Sequence, residues 1–375
     1  MNTNPSHILG IDAIRFLAAI AVMFFHYGFW AGFTQETDIS RVVVSYPKLS
    51  PMTSFGWVGV QTFFVISGFV IAFSSERATA FKFWVSRVVR LLPGVVICAS
   101  ITLLALSWIE HASFEELMKL YMKSITFWPT GPWVDDSYWT LAIEIAFYST
   151  VLALLVINKF RWIRPLAIML GLISTAFTII SFVSMLPFFA PAADAIAVVK
   201  DKRIADLLLL NHGVYFALGI LFWLQLVKGH HVQNVGFIYG FTAVGCLHIY
   251  LVTAGFNDIG ADIPPFVPIV VWLISLAGII FSVKMNPQVL HFPSWCKAFL
   301  RRIGLMTYPL YLIHQSVGLA LIGSLLLIEI HRHLALSIAI AVSLAISWVV
   351  SVYLEPPLQA KIKNLSYQLK PNWVN

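Results

Sequence analysis

Arg15 and His26 stand eleven residues apart inside one apolar run, GIDAIRFLAAIAVMFFHYGFW, which begins at Gly10. On a helix that separation is about three turns, so the two side chains share a face and sit about 16 Å apart along the axis. Asp12, three residues before Arg15, joins the same stripe. An ionisable side chain at membrane depth costs at least about 2.5–3.5 kcal/mol, so it turns towards the protein interior or a wet cavity. Two arrangements meet that cost. Either Arg15 pairs with Asp12 near the helix end and His26 is satisfied locally, or the residues line a reaction chamber. Glu144, in SYWTLAIEIAFY, bears on the choice. It lies about 9 Å into a span that enters from the outer side, at a depth similar to that of His26. A carboxylate accepting from one imidazole nitrogen fixes the tautomer and leaves the other nitrogen as a base. Glu144 equally fits a carboxylate hydrogen-bonded within the bundle.

Arg87 and Arg90, in WVSRVVRLLPG, are three apart and share a helix face. Where a span begins on the inner side, two guanidiniums beside a helix N-terminus suit a phosphate-rich anion; arginines also anchor span ends with no ligand at all. His314 and Gln315 follow Pro309 in MTYPLYLIHQSVG. Pro309 is expected to break that helix early, and carbonyls freed in this way are tolerated beside a cavity or a protein partner. His314 is thus a second histidine for the same chamber, or a satisfied core histidine. Gln61, Thr62, Ser67 and Gly68 belong to a span whose small and hydroxyl residues suit close helix packing. Trp128, Trp133, Tyr138 and Trp139 crowd the outer end of the Glu144 span, as in an interfacial aromatic belt, although sugar rings stack on such faces too.

The elements that position these residues are membrane helices. Of 375 residues, 59% are hydrophobic and 11% charged, with a mean hydropathy of +0.84; a soluble domain carries about 25% charged residues. The expected architecture is an all-α polytopic bundle forming one membrane domain over 1–375. Runs long enough to cross lie at about 9–30, 54–74, 90–109, 138–157, 165–187, 207–227, 235–254, 266–283, 303–327 and 334–354, which makes ten. With the N-terminus inside, the inner segments hold fifteen of the 24 basic residues and two acids, Glu76 and Glu355, while the outer segments hold eight basic and thirteen acidic residues. This asymmetry follows the positive-inside rule and places both termini in the cytoplasm. It also accounts for the net charge of +7 without a nucleic-acid partner. The longest loops, about 31–53, 110–137 and 188–206, fall outside. Asp12 and Arg15 interrupt the first run, so it reads as a span and not a cleaved leader. Cys98, Cys246 and Cys296 are scattered, with no spacing for a disulfide framework or a metal.

Taken together, the Arg-x10-His pair (Arg15, His26), the FFVISGF stretch at 63–69, the Arg-x-x-Arg pair (Arg87, Arg90), Tyr-Trp-x-Leu-x-x-Glu (Tyr138 to Glu144) and Tyr-x-x-His (Tyr311, His314) resemble the acyltransferase-3 family of integral-membrane acyltransferases. The resemblance covers nearly the whole chain, in matching order and spacing, and suggests a stand-alone member without the esterase-like domain that some relatives carry. It implies transfer of an acyl group, usually acetyl, from cytoplasmic acetyl-CoA to a hydroxyl of a cell-surface or exported glycan or a lipid-linked sugar, at a bacterial inner membrane. His26 and Glu144 are then the catalytic candidates, Arg15, Arg87 and Arg90 hold the donor, and Tyr138, Trp139 and His314 line the acceptor cavity; no metal is implied. The competing readings are a transporter of a polar or anionic solute, which also tolerates buried charge, and a membrane-bound O-acyltransferase of the other large fold.

Overall fold

The computed structural model describes residues 8–34, 44–109, 113–185, 203–229 and 231–369. All regular elements among them are helical. Nine of the described helical stretches are long and apolar enough to cross a membrane, and Gly213–Leu226 is a shorter apolar helix. Large apolar side chains on the surface, Leu17, Leu104, Trp108, Ile274 and Phe281 among them, would be costly in water and suit lipid. This is a multi-pass membrane protein. Most of the expected outer loop at 188–206 lies outside the described residues.

The principal helices are α1 (Leu9–Phe24), α2 (Gly59–Ser75), α3 (Ala80–Ile109), α4 (Phe114–Ile125), α5 (Trp139–Val156), α6 (Ile163–Val183), α7 (Gly213–Leu226), α8 (His231–Asp258), α9 (Phe266–Lys284), α10 (Ser294–Leu327), α11 (Arg332–Val349) and α12 (Glu355–Gln368). They fall into two compact units, one of residues 1–57, 84–140 and 286–375, the other of 58–83 and 141–285.

In the first unit α10 is the spine, packing against both α1 and α11. The α1 and α10 helices run parallel: the Gly304 backbone faces Asp12 at one end, and Gly318 faces the Tyr27 hydroxyl at the other. The α3 helix meets α10 at one level, with Tyr308 Oη donating to Leu91 O (3.1 Å) and Cys98 Sγ approaching Pro309 O (3.9 Å). The structure departs here from expectation. Pro309 does not break the helix: α10 is continuous through it, buried along this stretch against α1 and α11, and a proline within a span is tolerated where the helix is buried in protein. Two stretches widen into π-helix instead, Phe25–Trp30 after α1 and Val350–Leu354 before α12. Such widened turns concentrate at functional sites. The second has a local cause, since Pro356 and Pro357 follow at once and neither has an N–H for the α-helical ladder. The expected outer loop at 110–137 contains α4, which carries Glu115 and Glu116 in its first turn and Lys123 in its last.

In the second unit the buried α7 packs chiefly on α2 and α6. The α2–α7 pair is parallel, from the Phe64–His212 ring contact at one end to the Glu76–Lys228 ion pair at the other. Two glycines let the backbones meet. A Cβ on Gly68 would strike the backbone of Phe216, and one on Gly219 would strike Val65 O and the Gly68 Cα. Small residues at a membrane-helix contact act in this way, as the sequence suggests for Gly68. Thr62 and Ser275 hydroxyls close another contact at 2.8 Å. Since the obstructing atoms are backbone, Gly219→Ala is expected to cost about 1–3 kcal/mol, read as a melting temperature lowered by several degrees in detergent. An unchanged melting temperature would contradict the close α2–α7 contact.

Candidate functional site

The π-helical turn begins one residue before His26. His26 Nδ1 lies 2.9 Å from Val22 O and 3.0 Å from His314 Nε2, and the two imidazole centres are 4.9 Å apart. His314, fully buried, directs its own Nδ1 at Leu310 O (3.2 Å) and Tyr311 O (2.9 Å). These partners assign the protons. Carbonyl oxygens only accept, so His314 Nδ1 carries hydrogen and, in the neutral ring, its Nε2 is an acceptor. His26 Nδ1 must then donate, shared between His314 Nε2 and Val22 O. The remaining nitrogen, His26 Nε2, holds a lone pair and makes no hydrogen bond among the described residues. A half-buried imidazole in this tautomer is a base or a nucleophile waiting for a partner.

The surroundings fix both rings. Tyr27 Oη donates to His314 O (2.7 Å) and lies 2.9 Å from Ser343 Oγ of α11. Gly318 leaves the room that the Tyr27 hydroxyl takes, while Gly28 allows Thr53 to approach the π-helical turn. From the loop before α5, the buried Asp135 accepts from Ser137 N (2.9 Å) through Oδ1 and from Ser316 N (2.8 Å) through Oδ2. The Ser316 hydroxyl returns to Val134 O at 3.2 Å. This clamp ties the loop to α10 two residues beyond His314. Burial raises the Asp135 carboxyl above its usual range, and the donations from Ser137 and Ser316 oppose that shift. Thr140 Oγ1 and Tyr311 Oη meet at 3.1 Å, one turn of α10 before His314.

Tyr138, at the end of the same loop, is buried, and its hydroxyl has no hydrogen-bond partner among the described residues; Trp139 beside it is half-buried. Asp12 is buried and faces Arg301 Nη1 at 3.6 Å, which gives the carboxylate a partner from α10. Arg15 is half-buried one turn further along α1. Arg90 lies over the Tyr308 ring, 5.1 Å from its centroid, whereas Arg87 Nε donates to Ser86 Oγ at 3.1 Å. Neither arginine stands at a helix N-terminus as expected. The α3 helix begins at Ala80, two turns upstream, so its unpaired N–H groups are out of reach and the two guanidiniums must do any anion binding themselves. Along α10 the Arg90–Tyr308 level is six residues, about 9 Å, from the His26–His314 level.

Glu144 belongs to the second unit, where its Oε2 accepts from Tyr148 Oη at 2.9 Å. The partner found on His26 Nδ1 is therefore an imidazole, where the sequence offered a carboxylate. Tyr27, Ser343 and Asp135 were not singled out from the sequence; the Asp-x-Ser turn at 135–137 is the only local signal among them, a side chain capping the backbone two residues on.

A family model described as an acyltransferase domain matches residues 8–352. No curated protein and no solved structure matches the chain.

Proposed function

The chain belongs to the acyltransferase-3 family, and from that premise we propose that this membrane acyltransferase is an O-acetyltransferase, moving acetyl from cytoplasmic acetyl-CoA to a hydroxyl of a cell-surface or exported glycan, such as an O-antigen, an exopolysaccharide or a lipid-linked sugar. The observation that carries the proposal is the hydrogen-bond direction at His26, which leaves Nε2 as the proton acceptor. In the proposed reaction the acceptor hydroxyl attacks the thioester carbonyl as His26 Nε2 takes its proton. The C–S bond then breaks, and the proton on Nε2 passes to the departing CoA thiolate. While His26 is cationic, its Nδ1–H bond to His314 is charge-assisted and correspondingly stronger. His314 thus does for the imidazolium what a carboxylate does elsewhere. Tyr138 and Trp139 remain candidates for the acceptor path, and Glu144 for the catalytic group of the second unit.

Ten crossings with cytoplasmic termini, in a bacterial inner membrane, complete the proposal. The parallel course of α1 and α10 supports it, because an odd number of crossings must separate parallel spans. Six long helices and the shorter α7 lie between them among the described residues, and α7 runs alongside the crossing helix α2. In this topology Arg87 and Arg90 lie towards the cytoplasm and Arg15 beside the donor path. Replacing both Arg87 and Arg90 by Gln is expected to raise KM for acetyl-CoA by about 10–100-fold, the worth of one or two hydrogen bonds to a charged group, with kcat little changed. An unchanged KM would remove their phosphate role. The acceptor is tested in cells: mass spectra of surface glycans should lose an acetyl ester when the gene is deleted and regain it on complementation. Identical spectra throughout would sink the glycan assignment.

A further inference from the structure

Glu355 opens α12 directly after the second π-helical turn and is 2% exposed. Its Oε2 accepts from Gln359 Nε2 at 3.3 Å, but its Oε1 is buried with no hydrogen-bond partner among the described residues. A buried carboxylate oxygen in that condition is expensive. Its position is specific. Oε1 lies against the backbone of α3 at Gly94, where an added Cβ would come within 2.6 Å of both Oε1 and the Tyr308 ring. Arg90, one turn earlier on the same face of α3, has its guanidinium over that same Tyr308 ring. The first unit therefore presents, about one helical turn apart, a cation fixed by an aromatic face and a carboxylate that feels that cation's charge but whose Oε1 accepts no hydrogen bond among the described residues.

A ligand matching both groups has a phosphate followed, a few bonds along, by a hydroxyl or amide N–H. The phosphopantoyl part of coenzyme A has this order of groups. Resting on the acyl-CoA reading above, we propose that Glu355 is a donor-binding residue: Oε1 accepts from the pantoyl hydroxyl or the adjacent amide N–H of the acyl donor while Arg90 holds the neighbouring phosphate. Glu355 would thereby distinguish a pantetheine thioester from a simple one, and set the depth at which the thioester stops below His26. A phospholipid headgroup carrying a phosphate and a hydroxyl or ammonium shares this chemistry, and the test separates the two sources.

Three donors are compared on wild type, E355Q and R90Q in nanodiscs: acetyl-CoA, S-acetylpantetheine (hydroxyl and amides but no phosphate) and S-acetyl-N-acetylcysteamine (neither phosphate nor pantoyl group). E355Q is expected to lower kcat/KM about tenfold or more for the first two donors and to leave the third unchanged. R90Q should impair acetyl-CoA alone. An equal loss of all three donors in E355Q would make Glu355 merely structural, and an unchanged KM for acetyl-CoA would also overturn the proposal. If E355Q changed activity only in nanodiscs containing phosphatidylethanolamine or phosphatidylglycerol, and not in phosphatidylcholine, the oxygen would belong to a lipid site and the proposal would fall. Should the variant not fold, wild type alone decides: S-acetylpantetheine lacking its pantoyl hydroxyl and with the adjacent amide N-methylated should lose about tenfold against the parent compound, and equal turnover would contradict the assignment. A wild type that turns over none of the donors would instead refute the acyl-CoA reading itself.

Discussion

His26→Ala should abolish measurable acyl transfer while leaving the protein folded. A positioned general base contributes about 10²–10⁴ in rate, and in the proposed reaction His26 Nε2 performs both the proton abstraction and its return to the leaving thiolate. The expected result is a fall in kcat by that factor, with KM for the donor close to wild type, because the proposed donor-binding groups lie about 9 Å away along α10 at the Arg90–Tyr308 level. Folding should survive, since the ring is half-buried and the clamps around it, Tyr27 on His314 O and Asp135 on Ser316 N, do not pass through His26. An unaltered melting temperature together with lost turnover is the expected pair of readings. Full activity in the folded variant would end the assignment.

His314 carries the second large effect, of a different kind. It touches no substrate in the proposed mechanism; it is a positioning residue that holds His26 in the Nδ1–H tautomer and bears on the imidazolium. A hydrogen bond to a charged group is worth about 1.5–3 kcal/mol, which corresponds to a loss of about 10–100-fold. His314→Ala should therefore lower kcat by this amount with little change in KM. His314→Gln supplies a side-chain oxygen that can accept from His26 Nδ1 and should recover part of the loss. A structural role alone would lower the melting temperature of both variants equally and show no recovery in Gln. A raised KM with kcat unchanged would mean that His314 binds donor or acceptor directly.

The candidates for this site are legible in the sequence because charge in an apolar run has few uses. Arg15, His26, Arg87 and Arg90 stand out by type and spacing alone, and His314 by its place in a late span. Their relations are not legible. The His26–His314 contact joins residues 288 apart, and no periodicity reports a long-range pairing. The sequence offers Glu144 as the partner of His26 on depth alone, but depth is one coordinate of three, and the acceptor for Nδ1–H comes from α10. In the sequence Asp135 is one more loop acid, because its contact is with the α10 backbone two residues past His314. Glu355 reads as an inner acid, and its burial against the bare backbone of Gly94 is visible only in the structure. Pro309 points the other way: a rule about isolated helices favours a break, and α10, buried against α1 and α11, is continuous through it. The short α7 was visible as a span and not as a 14-residue helix, since apolar residues in the preceding turn extended the run.

The most direct test of the account follows binding and cleavage of acetyl-CoA side by side on purified wild type and His26→Ala in nanodiscs, with calorimetry for binding and free-thiol release for turnover. The account predicts that both proteins bind acetyl-CoA with similar affinity and that only wild type releases CoA when an acceptor glycan is supplied. Folded wild-type protein that binds no acyl-CoA would contradict the account and point to solute transport.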